Sequence, residues 1–504
     1  MASILSPGSA AAAKQHNAAQ PVLSLPVELL VEIFALNTPI FAQPAEGPRR
    51  TESEWSIEEY EKFRLAVSGT CSEFRSVVTY APRCWTLVRI RLPAGRITGA
   101  TSPPALQAWL ERSFPLAFDL AIGEFDTGDD ISGLAQGHCE VLANTLKTHL
   151  SSRCRSITFS NSDAGTYHLP SLSKLFADAE LSQVAHFVYC WSEPRGDDGF
   201  VSTILSKLTA PLLSLCVAET RVESPFFTEL ASSVFSSITR LQILAPGAGL
   251  KHISSFVEQC HMLEHLDWIE VLDLDDLEDV QDKIVFPRLR SMRLDGTLIV
   301  ALPAIEAPLL ETILLENYDG PCFLFRPEQK ALPALRRISE LRLGPLREPN
   351  ADDLIRNFFH RQPLIEDLYL GPCSVARLQI VVDALLEVSS QSAPRSSIRN
   401  TCLKRMWFCP SFKHGGLDSD GDSMLAGIMR SLDHLSTSDL QISLYPAVLR
   451  DPFDFKQDEV SLSQLWPQTA LVYANNPSLF HHERPNWDWQ WQWLTPWFQW
   501  HLDL

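Results

Sequence analysis

A short pattern, L-x-x-L-x-L or a near variant of it, recurs between residues 150 and 450, and it restricts the fold more than any other feature of this 504-residue chain. Its middle apolar position falls on Ile157, Phe187, Leu215, Leu241, Leu266, Met292, Ile313, Leu341, Leu368, Met406 and Leu440. Successive intervals are 30, 28, 26, 25, 26, 21, 28, 27, 38 and 34 residues. In each unit the last two apolar residues are two apart, which puts them on one face of a strand. One such strand cannot bury that face alone, whereas stacked units bury a continuous core. Between the strands lie stretches such as 224–235 and 252–260, with apolar residues at three-to-four spacing, which predicts helices. Strand and helix therefore alternate, and the fold class is α/β. An ordinary α/β domain also alternates, but it has no reason to hold one register through eleven units.

Most of those intervals lie near the roughly 20 to 29 residues of a leucine-rich repeat, with the longer ones marking inserted loops. The Asn that commonly follows the strand in such repeats is missing from nearly every unit. The expectation is therefore a degenerate, helix-rich solenoid of about 10–11 repeats over residues 150–450. Residues 93–149 read as a connecting segment.

The amino terminus follows a different pattern. Residues 1–21 read as a flexible leader. Leu25 and Pro26 open a helix, since Pro is favoured at the first helical position and Glu28 complements the positive end of the dipole. Leu29, Leu30, Ile33 and Phe34 then recur at helical spacing. Residues 38–55 hold three prolines, a glycine and an arginine pair, which predicts a surface loop. Ser56 and Glu59 have capping-box spacing at the start of a second helix, where Tyr60, Phe63 and Val67 supply the apolar stripe. A third helix runs from about Cys71 to Val78, before Pro82, Trp85 and the strand-like LVRIRL.

Residues 24–92 resemble the F-box family, in particular its abundant members from mushroom-forming fungi. The family's Leu-Pro-x-Glu-Leu-Leu-x-Glu-Ile-Phe opening is similar to LPVELLVEIF, Leu25 to Phe34. TCSEFR places Cys71 on the family cysteine, Phe74 on its tryptophan and Arg75 on its arginine. APRCW keeps Pro82 and Trp85 in register, with Val78 between the two elements. Downstream, WLERSFPLAFDL resembles the segment that commonly follows. The resemblance implies a three-helix F-box over 22–92 that docks the Skp adaptor of an SCF-type ligase, itself bound to a cullin. The repeats would then hold an unknown protein substrate. The chain would be a non-catalytic substrate receptor for ubiquitin-dependent degradation, raising the effective concentration of substrate lysines near a charged conjugating enzyme. The adaptor contacts and the bundle core are both drawn from Leu25, Pro26, Leu29, Leu30, Ile33, Phe34, Cys71, Phe74, Arg75, Val78, Pro82 and Trp85. Two other readings stand beside this one: a scaffold whose F-box has lost its ligase role, and an unrelated enzyme on an α/β array.

Charge and composition narrow the partners. A formal net charge of −19 repels phosphate backbones and anionic lipid, so neither nucleic acid nor membrane is an expected partner. Eleven scattered cysteines with no C-x-x-C pair do not suggest a disulfide or zinc framework and fit a reducing compartment, cytoplasmic or nuclear. No apolar run approaches the ~20 residues needed to span a bilayer. DSDGDS, residues 418–423, spaces oxygen ligands like a calcium loop, but Ser423 stands where the turn Gly belongs and Met429 where the bidentate Glu belongs. It reads as a solvated loop. The His481–His482 and Cys402/Cys409 pairs lack further ligands at metal spacing, so no metal or cofactor is expected. Seven acids without a Lys or Arg, Glu270, Asp273, Asp275, Asp276, Glu278, Asp279 and Asp282, form a candidate edge for a basic substrate segment. In the 451–504 segment Trp487, Trp489, Trp491 and Trp493 alternate, as on one face of a strand packed against the last repeat or offered to a partner.

Overall fold

The computed structural model describes residues 25–36, 57–92, 102–124, 132–161, 176, 179–191, 204–218, 235–244, 259–269, 284–295, 305–316, 340–343, 365–373, 375–391, 404–412, 419–435, 441–444 and 447–448. These form a mixed α/β structure of parallel strands and seven α-helices, divided between two compact units.

The first unit opens with α1 (Val27–Leu36), α2 (Ile57–Thr70) and α3 (Ser72–Tyr80), then a 3₁₀ turn at Pro82–Trp85. It continues with β1 (Leu87–Leu92), α4 (Pro103–Arg112), β2 (Phe118–Glu124), α5 (Ser132–Arg153), β3 (Cys154–Asn161), β4 (His186–Trp191) and β5 (Ser214–Ala218). The five strands pair in parallel in chain order. One ladder row runs Val88, Leu120, Ile157, Phe187, Leu215, and a second, two residues on, runs Ile90, Ile122, Phe159, Tyr189, Val217. None of the ten is more than 5% exposed. These rows are the core of the unit, each fully buried large side chain contributing on the order of 1.5–3 kcal/mol. Phe159 is their aromatic centre, with Phe176, Phe187 and Tyr189 rings 5.6, 5.8 and 6.3 Å away. Helix α5 lies along α4 and β3, and buries Leu142, Leu146 and Leu150 at the four-residue spacing of one helix face.

The second unit holds β6 (Arg240–Leu244), β7 (His265–Ile269), β8 (Ile284–Val285), β9 (Ser291–Asp295), β10 (Ile305–Glu306), β11 (Thr312–Glu316) and β12 (Glu340–Leu343). After these come β13 (Asp367–Cys373), α6 (Val375–Gln391), β14 (Arg405–Phe412), α7 (Ser419–Leu435), β15 (Gln441–Leu444) and β16 (Ala447–Val448). The order β6-β7-β9-β11-β12-β13-β14-β15 is parallel throughout, β8 pairs with β10, and β16 extends β14. Its ladder row is Leu241, Leu266, Met292, Ile313, Leu341, Leu368, Met406, Ile442.

The repeated apolar position thus becomes a ladder row within each unit, with three departures. Parallel pairing begins at β1 and β2, well upstream of residue 150, because LVRIRL and AFDLAI carry the same two-apart apolar pair. In the last unit the row passes through Ile442, while Leu440 lies outside the described residues. Leu440, Ile442 and Leu444 have one parity, so alternation alone cannot choose between frames that differ by two. The DSDGDS run is not a loop: from Ser419 on it is the first turn of α7, and Asp422 is only 4% exposed. Small oxygen-bearing side chains favour a helix start, and buried Leu425, Ile428 and Met429 supply the apolar face that follows. The leader, Ser56, the 38–55 loop, the 270–282 acids and the Trp-rich 451–504 segment lie outside the described residues. So do 224–235 and 252–260, apart from Phe235, Gln259 and Cys260. Among the described residues no helix is long and apolar enough to cross a membrane.

On the opposite strand face polar side chains pair sideways. At a bulge in the β2–β3 register Arg155 becomes an extra residue, and its guanidinium donates to both Asp119 oxygens at 2.8 and 2.5 Å. Ser156 Oγ donates to the same carboxylate at 2.7 Å. Gln242 and Arg293, from the strands flanking β7, donate to Asp267 Oδ2 at 2.8 and 3.3 Å, all three residues being buried. Removing one partner of such a buried pair strands the other charge and typically costs about 3–5 kcal/mol. On the same strand His265 is pushed down to about 4 by burial first and by the Arg240 and Arg290 guanidiniums second. In the unfolded chain His265 takes up a proton near its ordinary value of 6.5, which the folded chain refuses until about pH 4. Stability should therefore be fully present above about pH 6.5 and fall as pH drops toward 4. Denaturant melts of wild type and His265→Gln across that window should show the decline in wild type and a flatter profile in the variant.

Candidate functional site

The three amino-terminal helices close around one apolar cluster of Leu30, Phe34, Val77, Val78, Ala81, Cys84 and Trp85. Leu25, Val31, Phe63, Val67, Phe74 and Trp109 pack on its margin. Helix α1 begins just after Pro26, whose carbonyl accepts from the N–H groups of Leu29 and Leu30 at 3.0 and 3.1 Å. At the start of α3 the Cys71 Sγ accepts the Phe74 N–H at 3.4 Å, so the thiol acts as the N-cap. Arg75 Nε donates to the Ser68 carbonyl at 2.9 Å, satisfying a backbone acceptor near the end of α2. The Phe74 ring meets Phe34 edge to face at 5.4 Å, and Phe63 meets Phe34 at 6.3 Å. That is favourable geometry for an aromatic pair.

Trp85 is the hinge pin of the module. Its indole N–H donates to the Val78 carbonyl at 2.7 Å, and Arg64 and Arg112 place guanidiniums 4.3 and 4.4 Å from its ring. Arg64, only 7% exposed, also covers Trp109 at 5.1 Å. Since Trp109 and Arg112 belong to α4, this stack joins the helical cluster to the start of the strand array in the same unit. Arg153, buried at the end of α5, secures the turn after α4 by donating to the Leu110 and Leu116 carbonyls at 2.8 and 3.1 Å. Burial pushes the Cys84 thiol up to about 11 and Cys260 up to about 12, so both are protonated at neutral pH.

The outward side of α1 is chemically unlike an ordinary helix surface. Leu30 and Phe34 point into the cluster, yet Val27, Leu29 and Ile33 are also apolar and are 56, 50 and 42% exposed. Pro26 is exposed beside them and Leu25 is half-buried. A helix apolar on both faces is normally buried on both. Here the chain's own core covers one face, and the other is an exposed apolar patch of the kind that marks a partner surface. Beside it Glu32 and Arg83 form an exposed ion pair at 2.5 Å that ties α1 to the 3₁₀ turn. Such a pair is worth at most about 1 kcal/mol.

The twelve expected amino-terminal residues therefore separate by role. Leu30, Phe34, Val78 and Trp85 are core, and Leu25, Cys71, Phe74 and Pro82 are half-buried. Pro26, Leu29, Ile33 and Arg75 are exposed. The seven acids between Glu270 and Asp282 lie outside the described residues. Arg64, Trp109, Arg112 and the Glu32–Arg83 pair were not foreseen, because their partners lie up to 51 positions away and no local spacing encodes them.

Trp85→Ala should destabilise the chain by about 3–5 kcal/mol, as truncation of a buried aromatic does. Trp85→Phe, which loses the bond to Val78 but keeps a ring between the arginines, should cost less than half of that. Chemical denaturation of the two variants checks the difference.

Compared with protein-family models and with curated proteins, the sequence gives no match.

Proposed function

We propose that the chain is a substrate receptor of an SCF-type ubiquitin ligase, in which the amino-terminal helices act as an F-box and the strand array acts as a degenerate leucine-rich-repeat solenoid. The observation that carries this reading is the bare apolar face of α1. Val27, Leu29 and Ile33 are left exposed while the same helix fills a core with Leu30 and Phe34. The motif order LPVELLVEIF, TCSEFR, APRCW supports it from the sequence, and the exposed residues fall within the first of these elements. Covering three half-exposed aliphatic side chains would supply on the order of 1 kcal/mol each, enough to form the centre of a docking surface for a Skp-type adaptor. The parallel ladders, with one two-residue apolar step per strand, support the repeat reading for the rest of the chain.

The mechanism is then positional. The adaptor and cullin hold one end and the array holds the substrate, so substrate lysines meet the charged conjugating enzyme at a high effective concentration. The Trp85 stack suits that task because it couples the docking helices to the first strands, and a stiff coupling narrows the volume that a tethered lysine explores.

Leu29→Asp combined with Ile33→Asp should lower capture by a purified Skp-type adaptor about 100-fold or more, each being a central apolar contact. Because both sites are exposed, the melting temperature should shift little. Leu30→Asp, which places a charge in the core, should unfold the module. Adaptor capture at wild-type strength by the folded double variant would remove α1 from the interface.

A further inference from the structure

A row of hydrogen-bond donors crosses the second unit. The parallel register sets Arg240, His265, Ser291 and Thr312 side by side on β6, β7, β9 and β11. Successive strand residues alternate faces, so the four lie opposite Leu241, Leu266, Met292 and Ile313, none of which is more than 2% exposed. All four members of the row are half-buried, so solvent reaches it, and Arg290, one residue before Ser291, is exposed at its edge. Adjacent strands lie ~4.8 Å apart, so Arg240, His265 and Ser291 together span about 10 Å. The run ends at the next register position, Glu340 on β12.

Two residues further along the same face, Gln242 and Arg293 donate to Asp267 Oδ2 at 2.8 and 3.3 Å, so the buried floor beside the row is balanced in charge. The row is not balanced. With Arg290 it brings together two guanidiniums, an imidazole and two hydroxyls. After burial, the two guanidiniums are what hold His265 down to about 4, so at neutral pH the ring adds a donor N–H and no charge. Carboxylates stand at the margin. Glu264 precedes His265 and is half-buried, and Glu311 meets Arg290 at 3.7 Å with both side chains more than half exposed. An exposed pair of that kind is worth at most about 1 kcal/mol and yields to an anion that makes shorter bonds. We propose that Arg240, His265, Arg290 and Ser291 form a binding site for a single phosphate group, with Thr312 at its rim. The guanidiniums neutralise the dianion and donate paired N–H groups to its oxygens, while the Ser291 hydroxyl and the imidazole N–H take further acceptors. A carboxylate, with one charge and two oxygens, would use fewer of these donors. The net charge of −19 works against a polyanion, but a single phosphate at contact is governed by the nearest charges, because salt screens the rest beyond ~8 Å. The inference does not depend on the ligase reading, since none of these residues belongs to α1.

The test uses the full chain at fixed ionic strength. Inorganic phosphate is followed by calorimetry, and a labelled Gly-Ser peptide carrying one phosphoserine by fluorescence anisotropy. Wild type should bind at least one probe saturably and should not bind the unphosphorylated peptide. Binding of inorganic phosphate alone identifies a free small phosphate as the source, and tighter binding of the phosphopeptide identifies a phosphorylated side chain. Arg290→Ala and Arg240→Gln should each weaken that binding about tenfold, as loss of a charged hydrogen-bond donor does. Arg430→Ala removes the same charge from an exposed position on α7 and should leave it unchanged. Because phosphate brings negative charge beside His265, it should also raise the pH at which the ring titrates, read from its Cε1–H resonance after assignment with His265→Gln. Thermal melts identify any variant that has lost its fold, and the exposed Arg290 keeps the test open if Arg240→Gln does. No saturable binding of either probe by wild type, wild-type binding by folded Arg290→Ala, or an equal loss in Arg430→Ala overturns the proposal.

Discussion

A parallel strand with two inward apolar residues has no stable existence alone, and the whole architecture follows from that constraint. In the first unit five such strands lay Val88, Leu120, Ile157, Phe187 and Leu215 in one row, so each residue's apolar neighbours come from the strands on either side. Shifting any strand by one residue would turn its inner pair outward and bring Asp119 or Arg89 inward, a loss of several kcal/mol per strand. The sideways pairs on the opposite strand face, Asp119 with Arg155 and Asp267 with Arg293 and Gln242, add a second lock on register. A one-residue slip breaks them too.

The amino-terminal helices meet the same burial problem with a different outcome. Leu30 and Phe34 are satisfied by α3, the 3₁₀ turn and the Phe63 and Phe74 rings, and the cluster is finished by Trp85 between two guanidiniums. Nothing in that packing requires Val27, Leu29 and Ile33 to be apolar. Leaving them exposed costs solubility, and a chain that keeps them there gains most when something else covers them. The same helix thus bears a fold-forming face and an exposed apolar face.

Much of this was legible in the sequence because it is written at short range. Pro26 before an apolar helical stripe, the short helical segment from Cys71 to Val78 and the two-residue apolar step of each strand are local patterns, and they place α1, α3 and the ladder rows. What the pattern could not supply is whatever depends on distant partners. Leu29 and Leu30 look alike at helical spacing, and only the packing of α3 and the 3₁₀ turn decides that Leu30 is core and Leu29 exposed. LVRIRL reads as a strand but its place in the ladder was hidden, as was the whole of β2, because their apolar pairs sit among segments read for their helices and motifs. In DSDGDS the alternating acids suggested a loop, and the apolar residues after it, which make it the start of α7, outweigh that local signal.

The account stands or falls on whether the outward face of α1 is covered by another protein. Amide hydrogen exchange, followed by mass spectrometry on the full chain with and without a purified Skp-type adaptor, reads this directly. The predicted result is slowed exchange in peptides covering residues 25–36, with the strand peptides of the second unit unchanged. Exchange in 25–36 that stays the same at saturating adaptor, or protection that appears in the strands instead, would contradict it.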